Sequence, residues 1–143
     1  GSVNLVMIPL ILFAVSGGTG WGVIAGLVFG TLKYFLGEGT ALNWVSLLLD
    51  YSIAYAAVGL AGIVKKPVAV GALVGCAARF IVHFISGITV YAQWMPEEFM
   101  GLTMTSPWLY SLLYNGTYML PNTILAVVLC ALLAKPLRRF LQG

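Results

Sequence analysis

The chain is poor in charge. Only 8% of its 143 residues are Asp, Glu, Lys or Arg, where a soluble domain carries about a quarter. With 61% hydrophobic residues and a mean hydropathy of +1.01, the composition is that of a membrane protein. Cysteine is nearly absent. Cys76 and Cys130 lie inside apolar runs without a CxxC spacing or a His neighbour, which argues against a disulfide scaffold or a thiolate metal site and for small core residues. There is a single histidine, no Ser–His–Asp arrangement and no nucleotide-binding motif. Gly17-Gly18-Thr19-Gly20 reads as a tight turn with nothing to mark a phosphate loop. We therefore expect no enzyme activity, catalytic residue, metal or cofactor. The net charge of +3 comes without a basic patch, so no nucleic-acid partner is expected.

Long apolar runs are what the chain does have. Five are separated by Gly, Pro or charged punctuation: Val3–Ser16, Thr19–Leu36, Trp44–Val64, Val68–Val90 and Trp108–Ala134. The last three reach the roughly 20 residues that span a bilayer, and the first looks short. The expected fold is an all-α membrane protein, one domain over residues 1–143, built as a bundle of five transmembrane helices. No cleavable signal peptide is evident. Lys65 and Lys66 follow the third run, and Lys135, Arg138 and Arg139 follow the fifth. Basic residues mark the cytoplasmic side, which places the C-terminus inside and residue 1 outside. Trp44, Tyr91, Trp94, Trp108 and Tyr110 then fall at the outer boundary, as an aromatic belt or as a ligand wall. Gly22, Gly26 and Gly30 form two GxxxG steps that permit close helix approach. Pro9 and Pro121 are expected to kink their helices, and Lys33 to extend its amine to the outer interface.

Ionisable groups inside apolar runs are costly and mark functional positions. Arg79 and His83, four residues apart, share one helix face, and Asp50 lies in another run. Counting from the outer boundary at 1.5 Å per residue puts Asp50, His83, Tyr110 and Asn115 at similar depth, with Arg79 one turn below. A pocket opening outward follows, built from the third to fifth runs, while the first two mainly pack and cover. A carboxylate, aromatic faces and an amide suit a small, flat, cationic, nitrogen-rich molecule. Plainer roles exist: an Asp50–Arg79 pair holding the bundle, His83 donating to a carbonyl, or Asn115 joining helices. Glu97 and Glu98 read as solvated loop charges.

The stretches LLLDYSIAYAAVGLAGI, RFIVHFISGITVYAQW and PWLYSLLYNGTYMLPN resemble the thiamine-specific substrate-binding subunit of energy-coupling factor (ECF) vitamin transporters. The resemblance covers essentially the whole chain and implies helices two to six of a six-helix fold, with the first family helix not present. It implies capture of thiamine from outside the bacterial cell membrane, with a coupling transmembrane subunit and two ATPases as partners. His83, Gly87, Tyr110 and Asn115 match the family's site as they stand, and Tyr51 and Gln93 align with it. Asp50 replaces a frequent Glu beside the thiazolium, Arg79 replaces a Lys of some members, and Tyr91 replaces a stacking Trp. Glu38 falls in the outer loop region that approaches the hydroxyethyl end. The alternatives are a subunit for another vitamin or a thiamine precursor, and an oligomeric membrane protein packed through its GxxxG face.

Overall fold

The computed structural model describes residues 3–38 and 43–141, apart from the side chains at 37, 38 and 140. Five main helices carry the fold. Helix α1 covers Met7–Gly17, and α2 covers Thr19–Lys33 and runs on as a π-helical turn, Tyr34–Glu38. Helix α3 covers Trp44–Ile63, α4 covers Val68–Thr89 and α5 covers Pro107–Ala134, with a last turn α6 at Arg138–Leu141. Four of them are long and apolar enough to cross a membrane. The first, with 11 residues, reaches about 16 Å, half a bilayer. Its entry is tied at mid-bundle, because the backbone N–H of Asn4 donates to Asn122 Oδ1 at 2.8 Å, halfway along α5.

Local chemistry sets the ends. Asn43 caps α3 by accepting from the Ser46 N–H at 3.0 Å, and Ser106 caps α5 by accepting from the Leu109 N–H at 3.3 Å, with Pro107 at the first helical position. Pro9 sits in the first turn of α1, where its missing N–H has no helical partner to lose. The expected kink therefore does not arise there; Pro121 alone lies inside a helix. Helix α3 changes pitch along its length. It is α-helical to Leu47, π-helical over Leu48–Ile53, α-helical again over Ala54–Val58, and 3₁₀ over Gly59–Ile63. Between α4 and α5 a two-stranded hairpin, β1 Glu98–Phe99 and β2 Leu102–Thr103, turns through Met100 and Gly101. Both turn residues have positive φ, 54° and 76°, as a tight hairpin requires.

The GxxxG face is used within the chain. A Cβ on Gly22 would meet Ala14 and Gly59, one on Gly26 the backbone of Tyr55 and Ala56, and one on Gly30 the backbone of Tyr51. Helix α2 thus lies against α3 with backbone on backbone, and no glycine of the motif is left to pair with another copy. Gly71 and Gly75 bring α4 equally close to the carbonyls of Val64 and Val58. Around these contacts a dry core forms from Met7, Ile11, Val15, Val58, Ala72, Cys76, Met119 and Cys130, closed at the basic end by Leu141.

Candidate functional site

At the other end the helices part around a cavity of about 550 Å³, a size typical of small-molecule sites. Helix α4 supplies Arg79, His83, Ser86 and Gly87 from successive turns of one face, and α5 supplies Tyr110, Ser111, Tyr114, Asn115 and Tyr118. Asp50 and Tyr51 come from the π-helical part of α3. Such wide turns recur at functional positions because they re-aim side chains out of the regular ladder.

Asp50 does not pair with Arg79. Its Oδ1 lies 2.9 Å from His83 Nδ1, and its Oδ2 accepts from Ser86 Oγ at 2.9 Å. Arg79 Nε donates to His83 Nε2 at 3.1 Å. An arginine can only donate, so Nε2 must accept and the imidazole proton sits on Nδ1, facing Asp50. The imidazole is therefore neutral in this arrangement, and the polar chain runs from Arg79 through His83 to Asp50. Asp50 is 19% exposed, so its carboxylate is open to the cavity with an acceptor lone pair to spare on each oxygen. Arg79, only 6% exposed, has neutral neighbours. Its Cζ lies 4.6 Å from the centroid of the Tyr55 ring, Nη2 donates to the Tyr55 hydroxyl at 3.4 Å, and Nη1 is buried without a hydrogen-bond partner among the described residues.

Asn115 joins α4 to α5. Its Nδ2 donates to the His83 carbonyl at 3.2 Å and to the Ser111 carbonyl at 3.0 Å, and its Oδ1 accepts from the Tyr118 hydroxyl at 2.7 Å. The inter-helix role expected for an intramembrane Asn is thus present, and one lone pair on Oδ1 remains for a donor in the cavity. Gly87 permits this approach, since a Cβ there would collide with Ser111. Ring contacts make the wall. Tyr110, Tyr114 and Tyr118 follow each other at centroid spacings of 5.8 Å, and Phe99 of the hairpin packs edge-on against Tyr110 at 5.2 Å. Tyr91, just beyond α4, lines the cavity and shares a hydrogen bond with Ser46 Oγ. Partial burial raises its phenol above the ordinary tyrosine range.

The structure thus brings together Asp50, Tyr51, Arg79, His83, Gly87, Tyr91, Tyr110 and Asn115. Gln93 is not among the lining residues, although Trp94 of the same short 3₁₀ turn, Ala92–Trp94, is. The Glu38 side chain lies outside the described residues. One expectation needs correction: Lys33 lines the cavity instead of extending only to the interface. Asn4 lines it too, so the first two runs, which mainly pack and cover, also reach the site. Sequence reasoning also passed over Ser86, Ser111, Tyr114 and Tyr118. Their signal was available: each lies three, four or eight positions from a residue already picked. No metal-holding cluster of His, Cys, Asp and Glu occurs among the described residues.

Residues 1–142 match the thiamine transporter protein family, Thia_YuaJ. The chain belongs to this family. It is 34% identical over 149 residues to the thiamine transporter ThiT of Bacillus subtilis, covering 92% of this chain and 74% of that one. It is 30% identical to ThiT of Lacticaseibacillus paracasei, covering 92% and 72%. The fold is similar to a solved structure of ThiT from Listeria monocytogenes, with a TM-score of 0.83 at 18% identity over 98% of this chain and 82% of the other. As a member of the thiamine transporter family the protein is a multi-pass membrane protein of transport, not an enzyme.

Proposed function

We propose that this chain captures thiamine at the non-cytoplasmic face of a bacterial membrane, as the substrate-binding subunit of an ECF-type importer. The observation that supports this most is the convergence of Asp50, His83, Asn115 and a tyrosine wall on one cavity at the end opposite the basic residues. The family and its named relatives supply the ligand. In this reading the Asp50 carboxylate neutralises the thiazolium, and Tyr91 and His83 hold the two rings between them. The free lone pair of Asn115 Oδ1 accepts from the exocyclic amine, assisted by Tyr110. Arg79, aimed from below with Nη1 unused, donates to a pyrimidine ring nitrogen. Tyr51 and Gly87 shape the walls. Lys65, Lys66, Lys135, Arg138 and Arg139 face the cytoplasm, where a coupling subunit and two ATPases would supply the energy. Calorimetric titration of the purified chain with thiamine tests the reading. One saturable site per chain is expected; no heat at any concentration, with the protein folded, would overturn it.

A further inference from the structure

Among the described residues, the hairpin between α4 and α5 adds no side chain to the cavity lining, yet it packs against residues that form it. Its strands pair Glu98 with Thr103 and Phe99 with Leu102. The Met104 N–H donates to the Glu97 carbonyl at 2.8 Å, and the Met104 side chain is buried, which ties down the base of the hairpin. Two successive residues then face different partners. Phe99 packs edge-on against Tyr110, with centroids 5.2 Å apart and planes at 86°, and its centroid lies 6.2 Å from that of Tyr114. Tyr110 and Tyr114 line the cavity. Met100 instead lines an apolar groove, together with Leu112, Leu113 and Gly116 of α5. The hairpin therefore straddles the outer part of α5, reaching its cavity stripe with one side chain and the neighbouring apolar stripe with the next.

Two further observations mark this placement as specific. Met100 holds φ at 54°, in the left-handed region that suits Gly or Asn and that other side chains rarely adopt. Such a conformation persists where its surroundings over-determine it. The tyrosine stack is also held unevenly. At its inner end Tyr118 is buried, and its hydroxyl donates to Asn115 Oδ1 at 2.7 Å. At its outer end Tyr110 is half-buried in the first turn of α5, flanked by the rings of Tyr114 and Phe99.

We propose that Phe99 is a positioning residue for ligand capture. Through it the hairpin holds Tyr110 and Tyr114 in the ring orientation that completes the outer edge of the wall, with Met100 as the anchor on the other stripe. This rests on the thiamine reading above and deepens it, since it states what keeps that wall in place. Phe99 touches no ligand atom. Its removal leaves the chain from Arg79 through His83 to Asp50 intact and lets the Tyr110 ring turn away. Bound ligand then escapes faster, while the approach of free ligand changes little.

The test is stopped-flow kinetics on the full chain in detergent, with thiamine as the probe. Trp94 lines the cavity, so tryptophan fluorescence reports binding. Loss of an edge-to-face pair in Phe99→Ala should speed dissociation about two- to tenfold, with the association rate nearly unchanged. Phe99→Tyr keeps the ring and should restore the wild-type rate. Placed on Tyr110→Ala, the Phe99→Ala change should add much less than it does alone, because its main partner is already gone. Phe99→Leu keeps apolar bulk without a ring, so it must also speed dissociation even if Phe99→Ala fails to fold. A wild-type dissociation rate in Phe99→Leu would overturn the proposal. So would full additivity with Tyr110→Ala, or equal acceleration in Phe99→Tyr and Phe99→Ala. Those outcomes leave thiamine binding to wild type, and with it the underlying reading, intact. A folded wild type that binds no thiamine would remove both.

Discussion

The two ends of the bundle are built from the same helices with different residues. At the basic end Gly22, Gly59, Gly62, Gly71 and Gly75 set backbone against backbone, and Ala14, Ala61, Ala72 and Cys76 are fully enclosed. At the cavity end the same helices carry tyrosine, serine, asparagine and the ionisable groups, and part to leave about 550 Å³. Without water, helices in lipid associate through close packing and internal hydrogen bonds. The small-residue end therefore supplies cohesion. The cavity end spends polar groups on an arrangement that is only partly satisfied internally among the described residues, with free lone pairs on Asp50 and Asn115 and an unused Nη1 on Arg79. Stability and binding should thus be separable by substitution.

The largest expected effect is at the packed end. Gly26→Leu forces a side chain into the backbone of Tyr55 and Ala56, which a flexible neighbour cannot relieve. Overpacking costs about 1–3 kcal/mol and more where backbone is struck, and size-exclusion chromatography in detergent should show aggregated or absent protein. Asp50→Asn comes next and should act on binding alone. Losing a charge-assisted contact of about 1.5–3 kcal/mol weakens thiamine roughly 10- to 150-fold, with a nearly unchanged melting temperature. A large melting shift instead would mean that Asp50 belongs to the cohesive half.

Tyr91→Ala should cost about 0.5–2 kcal/mol of binding through lost ring stacking and cation–π attraction, and Tyr91→Trp should bind as well as wild type or better. Equal affinities for all three proteins would reduce Tyr91 to a belt residue. The smallest effect belongs to Gln93→Ala. Since Gln93 does not line the cavity, the change in binding should stay within about 0.5 kcal/mol; a greater loss would extend the site beyond its present walls.

Much of this division was legible in the sequence. An Arg and a His four apart in an apolar run fix their shared face by helix geometry alone, and depth counting from the aromatic boundary brought Asp50, His83 and Asn115 to one level. The glycine spacing marked α2's close-contact face. The partner of that face was not legible, because small residues allow an approach without naming what approaches. The order of the polar chain was not legible: charge allows Asp50 to pair with Arg79 directly, yet His83 stands between them. Only the π-helical turn at Leu48–Ile53, invisible in a 3.6-residue pattern, decides where the carboxylate points. Asn4 could not be foreseen, since its place depends on α1 starting at mid-bundle against Asn122. Lys33 looked like an interfacial lysine because its depth was known and its direction was not.

A crystal structure of the chain with thiamine bound tests the central claim most directly. The account places the ligand between Tyr91 and His83, with the thiazolium within about 4–6 Å of the Asp50 carboxylate and the exocyclic amine on Asn115 Oδ1. Thiamine bound elsewhere on the bundle, with the Asp50–His83–Arg79 chain closed on itself and the cavity filled only by solvent, would contradict it.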